Sequence, residues 1–339
     1  MKYPSILITL LLVSNFVIAQ QADSSAFYYQ NAMNFKANKQ YLLASKELAK
    51  ALVFNKNFTN AYLENGYLNL EMRRVDHAIT NFAKVMELDP NNTAAAKELM
   101  ELYYNFRQYV KAKLIAVKFT SCVNAEKIIA MCNYQTEDYG NAIKGLSSYL
   151  SKNPTDAEAT YTIARSYLDM EQYKNAVPYY NKAILLNPEK NSWIYELGML
   201  YYTLNDFKNA VVFFNKAAEN GYPKKNDFLE NLGYAYIFSG QFTEGEQILL
   251  DLIAKKPGDT ELIRDIAEAY YNGKLYNKSL DYCQRLIEID VKDGKALYQA
   301  GLCFLKMGQK DKGQSMCDKA IELDPSLNSM RQKQNTMGL

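Results

Sequence analysis

Apolar and polar positions along this chain recur in long phrases. From Val75 the sequence reads VDHAITNFAKVMELDP, from Tyr173 YKNAVPYYNKAILLNP, from Phe207 FKNAVVFFNKAAENGYP and from Lys310 KDKGQSMCDKAIELDP. The second and third phrases start 34 residues apart, and that spacing lays out nine units: 25–58, 59–92, 93–122, 123–156, 157–190, 191–225, 226–259, 260–293 and 294–327. A period of this length predicts a helical solenoid in which each unit is one helix pair, unable to bury its apolar face except against its neighbours.

Two positions in each unit are small. The eighth holds Ala32, Gly66, Met100, Ala130, Ala164, Gly198, Gly233, Ala267 and Gly301; the twentieth holds Ala44, Ala78, Ala112, Ala142, Ala176, Ala210, Gly245, Ser279 and Gly313. Small side chains at two fixed points let paired helices approach closely, because the distance between helices is set by the residues at their crossing. Bulky rings stand beside them. The eleventh position carries Phe35, Tyr103, Tyr167, Tyr201, Tyr236, Tyr270 and Phe304, and the seventeenth Tyr41, Tyr109, Tyr139, Tyr173, Phe207, Phe242 and Tyr276. Pro90, Pro154, Pro188, Pro257 and Pro325 fall where each second helix must stop.

This order of small, aromatic, small, aromatic, small and proline positions resembles the tetratricopeptide-repeat family, from about Ser25 to Leu327. The resemblance implies an all-α fold, a right-handed superhelical solenoid of stacked helix-turn-helix units, with the first helices lining a groove for partners. The third unit departs from the pattern: it is 30 residues long, has Met100 and Phe119 where small residues usually sit, and lacks the closing proline. A change of twist is expected between Phe119 and Glu126. Pro178, inside a second helix, should remove one backbone hydrogen bond and bend that helix slightly. The polar tail 328–339 is expected to cap the stack, and no linker or second domain is apparent.

The N-terminus reads differently. MKYPSILITLLLVSNFVIAQ has Lys2, an apolar stretch Ile6–Val13, and small residues at Val17 and Ala19. It predicts a leader, residues 1–19, removed after Ala19, and a protein exported to the periplasm or secreted. Retention as an anchor is the rival reading, disfavoured because the apolar heart is too short to span a bilayer. No cysteine follows the cleavage point to take a lipid, so no lipoprotein anchor is expected, and no integral membrane span is expected once the leader is removed.

Composition narrows the chemistry. Lys and Arg (39) nearly balance Asp and Glu (37), which argues against a nucleic-acid partner. One His among 339 residues leaves little room for zinc sites or Ser-His-Asp chemistry, and His77 is expected in solvent. The five cysteines, Cys122, Cys132, Cys283, Cys303 and Cys317, form no C-x-x-C pair and read as small buried thiols. No phosphate-cradling loop is present, and no cofactor or metal is expected.

What remains is a surface. The resemblance implies that positions two, five, nine and twelve of each unit face the groove. Those places are rich in tyrosine: Tyr29, Tyr67, Tyr104, Tyr134, Tyr161, Tyr195, Tyr202, Tyr234, Tyr271 and Tyr298, interleaved with Lys97, Glu101, Lys127, Arg165, Glu230, Arg264 and Glu268. Tyrosine offers large contact area at low entropic cost, with a polar handle, which suits peptide recognition. The competing role for each ring is packing between successive first helices. The carboxylate clamp that some family members use for chaperone tails is missing, since Lys97 is followed by Glu101 and Lys127 by Met131. Glu261, Asp265 and Glu268 share one helical face and read as an acidic patch rather than general acids. The expected function is a non-catalytic scaffold that binds partner proteins or peptides in the cell envelope. A binder of glycan or peptidoglycan fragments is the alternative, because a row of tyrosines can also stack on sugar rings.

Overall fold

The computed structural model describes residues 24–329; residues 1–23, where the leader is expected, and residues 330–339 of the tail lie outside them. These residues are all helix and turn, with no strand among them. They fall into two compact units, divided between Met170 and Glu171. The sequence gives no hint of that division, since Ala164 and Ala176 follow the small-residue rule on either side of it.

The N-terminal unit contains α1 (24–37), α2 (Tyr41–Phe54), α3 (Thr59–Glu71), α4 (Val75–Leu88), α5 (Thr93–Asn105), α6 (Tyr109–Lys118), α7 (Ala125–Gln135), α8 (Tyr139–Lys152) and α9 (Ala157–Asp169). The C-terminal unit contains α10 (Tyr173–Leu186), α11 (Asn191–Thr203), α12 (Phe207–Glu219), α13 (Asn226–Ser239), α14 (Phe242–Lys255), α15 (Thr260–Asn272), α16 (Tyr276–Ile289), α17 (Gly294–Lys306), α18 (Lys310–Leu323) and a 3₁₀ turn, Pro325–Leu327. Within each unit, helices that follow one another in the chain pack together. First helices of adjacent pairs also touch, α5 with α7 and α7 with α9, and α13 with α15 and α15 with α17.

One backbone device recurs after the first helix of each repeat. The fifteenth residue of each unit is left-handed: Lys39, Arg73, Arg107, Glu137, Glu171, Asn205, Gly240, Lys274 and Gly308 all have φ between 56° and 88°. Within each compact unit, the amide of the next residue then reaches back to the carbonyl at position eleven, as from Arg74 to Asn69 at 2.7 Å and from Gln108 to Tyr103 at 2.7 Å. This is the Schellman closure of a helix C-terminus. Seven of the nine residues are not glycine, so the left-handed turn left no mark in the sequence.

The small residues do the work their spacing suggests. Where position eight is glycine, it meets the side chain sixteen residues later, on the paired helix. A Cβ built on Gly198 would lie 2.7 Å from the Phe214 ring, and one on Gly301 2.6 Å from the Cys317 sulfur. Met100, the exception at position eight, is fully buried, and the residue sixteen places on is Ala116, also fully buried in the same cluster. The bulk has moved to the opposite helix.

The short third unit ends early. Its second helix, α6, spans 10 residues where α4 and α8 span 14. Residues 119–124 form a turn in which Asn124 has φ 70°, so α7 starts at Ala125 and leaves Val123 exposed. Helix α10 continues through Pro178 to Leu186. No described helix is long and apolar enough to cross a membrane.

Candidate partner-binding site

The tyrosines at position twelve share one arrangement. Each packs on the ring five residues further on, across the left-handed turn: Tyr104 on Tyr109 at 5.7 Å and Tyr134 on Tyr139 at 5.8 Å in the N-terminal unit, Tyr202 on Phe207 at 5.3 Å and Tyr271 on Tyr276 at 5.6 Å in the C-terminal unit. The rings are braced, which lowers the entropy a partner must remove on contact, yet each remains partly accessible. Burial pushes the phenols of Tyr104 and Tyr271 up to about 12, so both stay hydrogen-bond donors at neutral pH.

In the N-terminal unit, Tyr134 Oη donates to Asp169 Oδ2 at 3.0 Å and Arg165 Nη2 donates to Asp169 Oδ1 at 3.3 Å. This ties α7 to α9 with polar atoms at the surface. Tyr67 lies edge-on to Phe82 at 5.2 Å, and Tyr161 is half-buried on α9. Lys127 is already engaged: it bridges Asp156 at 3.0 Å and Glu158 at 2.8 Å. Asp156 in turn caps α9, accepting from the Ala159 amide at 2.9 Å.

In the C-terminal unit, Tyr195 stacks on Tyr222 with centroids 4.4 Å apart and planes 15° from parallel, and its Oη accepts from Asn231 Nδ2 at 3.2 Å. Tyr202 also leans on Phe238 at 6.3 Å. The Tyr234 hydroxyl is buried without a hydrogen-bond partner. Burial, with Asp265 and Glu230 nearby, holds its pKa far above the usual phenol range. Burial and then neighbouring carboxylates, Glu261 and Glu268, raise the Asp265 carboxyl as well. Tyr271 opens on a cleft of about 550 Å³ with Leu302 and Leu305, positions nine and twelve of the last unit, on its wall.

Two expected contact residues are placed otherwise. Tyr298 is 4% exposed and packs with Leu302, Cys317 and Leu327, so it belongs to the core rather than the surface. The residues after α18 fold back over it, which the repeat pattern did not signal. Arg264 is spent within the fold: Nη1 and Nη2 donate to Asp293 Oδ1 at 3.2 Å and Oδ2 at 2.9 Å. Asp293 caps α17 through the Ala296 amide at 2.9 Å. Lys127–Asp156 and Arg264–Asp293 are thus one device, a position-five cation holding the carboxylate that caps the next first helix. Sequence reasoning missed it, although the same 29-residue spacing of cation and Asp stands in both places. Among the described residues no group of three or more His, Cys, Asp or Glu is placed to hold a metal ion.

Family models of the tetratricopeptide repeat match residues 161–224 and 294–327. Residues 161–224 and 294–327 are thus tetratricopeptide repeats, and the helix pairs recur along the rest of the described residues. The C-terminal part of a TPR repeat-containing protein from Cytophaga hutchinsonii shares the fold, at TM-score 0.54 and 17% identity over 69% of this chain and 98% of that one. YrrB, described as a TPR protein with an unusual peptide-binding site, aligns at 23% identity over 53% of this chain and 92% of its own, with TM-score 0.39. MamA aligns at 25% identity over 46% and 93%, with TM-score 0.43. No curated protein matches the chain.

Proposed function

We propose that the protein is a non-catalytic scaffold that holds segments of partner proteins against the tyrosine-bearing face of its first helices. The observation that carries this reading is the braced ring at position twelve. Tyr104, Tyr134, Tyr202 and Tyr271 each present a fixed, partly exposed ring and a protonated hydroxyl at the same place in the third, fourth, sixth and eighth pairs. Within each compact unit, two rigid amphipathic rings one or two pairs apart suit an extended chain, which presents side chains and backbone carbonyls along its length. Their spread over many pairs favours a polypeptide over a sugar, which needs one local cluster. The described helices are all repeat, and that supports binding rather than chemistry as the task. The leader-like sequence pattern of residues 1–19 supports an extracytoplasmic setting, in the envelope or beyond it.

The test is site-specific photocrosslinking in the native cell. A benzophenone amino acid replaces Tyr104, Tyr134 or Tyr271, and in controls Lys144 or Gln284 on second helices. Discrete adducts from the tyrosine positions and none from the controls are expected. Adducts from the controls alone would refute a tyrosine-face site.

A further inference from the structure

We propose that α6 docks the protein onto an anionic lipid bilayer surface. The helix carries an apolar stripe that the fold leaves bare: Val110 is 68% exposed, Leu114 68% and Val117 55%. Phe106 just before the helix is 50% exposed, and Val123 just after it 71%. The buried face of the same helix is separate, made by Ala112 and Ala116 with Ile115 beside them.

The stripe is not a demand of the repeat. The same three places hold Gly140, Lys144 and Ser147 on α8, Asn277, Asp281 and Gln284 on α16, and Asp311, Ser315 and Asp318 on α18. The helix pair therefore folds with polar residues there, and α6 alone has aliphatic side chains at all three. Exposed apolar residues grouped on one surface mark a contact.

Charge says what kind of contact. From Leu102 to Ala125 the chain has no Asp or Glu, while Arg107, Lys111, Lys113 and Lys118 are all cationic. None of the four ion-pairs with a carboxylate among the described residues. Lys118 Nζ donates to the Pro90 carbonyl at 2.6 Å, and Lys111 lies over the Tyr103 ring at 5.3 Å. At about 100° per residue, Val110, Leu114 and Val117 span about 60° of the helix. Lys113 then borders one side of the stripe, and Lys118 and Lys111 border the other.

An aliphatic ridge between two lysine margins is the layout of a helix lying in a membrane interface, its apolar row in the acyl boundary and its ammonium groups among the headgroups. Lysine is depleted at protein–protein interfaces, so a bilayer fits this patch better than an acidic protein. Three aliphatic side chains and one ring are too few to hold alone. The attraction needs anionic lipid and falls with salt. This site is separate from the tyrosine face and does not depend on it.

The test is co-sedimentation of the protein from Gln20 onward with extruded vesicles. Vesicles of equal phosphatidylglycerol and phosphatidylcholine are compared with phosphatidylcholine alone, at low salt and at about 0.5 M NaCl. Binding to the anionic vesicles is expected, at least tenfold weaker on the neutral ones and weaker in salt. Two triple variants, Val110→Ser with Leu114→Ser and Val117→Ser, and Lys111→Gln with Lys113→Gln and Lys118→Gln, should each lose tenfold or more while keeping the native circular dichroism. Absence of vesicle binding, or binding that both variants retain, overturns the proposal. Binding of soluble polyglutamate without binding of vesicles overturns it in favour of an acidic protein partner.

Discussion

Gly66 and Phe82 meet where only a hydrogen atom fits: a Cβ on Gly66 would lie 2.5 Å from the Phe82 ring. The obstacle is a fully buried ring, with Tyr67 also against it at 5.2 Å, so it cannot swing aside. Gly66→Ala should destabilise the protein by about 1–3 kcal/mol, the usual cost of overpacking a tight core. Adding Phe82→Leu should recover part of the loss. Urea unfolding followed by circular dichroism measures both, and an unchanged midpoint for Gly66→Ala would contradict the contact.

The left-handed turns hold an unused reserve of stability. Arg73 has φ 57° and its side chain is exposed, so the residue is held in a strained conformation with no contact to recommend it. Arg73→Gly should therefore stabilise by about 0.5–1 kcal/mol, the relief of left-handed strain less glycine's extra chain entropy. Alanine at the same place keeps the strain and should not. A thermal melt of the two variants separates conformational relief from loss of the charge.

Asp293 makes stability fall in acid. Burial raises its carboxyl, but hydrogen bonds from Arg264 and the Ala296 amide outweigh burial and hold the group below the usual carboxylate range. A depressed folded pKa contributes stability in full above the ordinary carboxylate value, and that contribution is lost as pH falls through the folded value. Asp293→Asn keeps a capping oxygen but not the paired charge. It should cost about 1.5–3 kcal/mol at pH 7, the range for hydrogen bonds to charged groups. The gap between variant and wild type should close as the pH is taken down past the carboxylate range. A gap that stays constant with pH would show that the ion pair is not its source.

The cysteines should react in order of burial. Cys122 is partly accessible, and the other four are buried. Burial pushes the thiols of Cys132 and Cys283 up to about 11 and about 12, so neither supplies thiolate near neutrality. One thiol per chain should react quickly with an aromatic disulfide at pH 8, and Cys122→Ser should abolish that phase. Two fast thiols in the native protein would contradict this packing.

The period, the small residues and the closing prolines were open to reading because one physical demand, close approach of paired helices, selects the same residue types in every copy. Positions whose demand is on the backbone were not. Lys39, Glu137 and Asn205 adopt the same left-handed turn with different side chains. The tyrosines at position twelve were legible only among the pooled groove candidates, and the rings that brace them as the position-seventeen set, but that the two touch follows only from the turn between them. Tyr298 looked like its counterparts and is buried, because the residues that cover it lie beyond the last helix pair. The cations at position five seemed available to partners, since a local sequence window does not show that Asp156 and Asp293 wait one repeat away.

Met100 and Ala116 reverse the sizes found at Gly66 and Phe82, and the reversal has a consequence for how such a chain can change by duplication. What is conserved between the two cases is the sum across the contact, not the residue at either place. A copying event that carried over α5 without α6 would set Met100 against a partner as large as Phe82, and one that carried over α6 alone would leave a hollow beside Ala116. Only a segment holding both helices can be moved without a second mutation to mend it, so the heritable module of this protein is the matched pair.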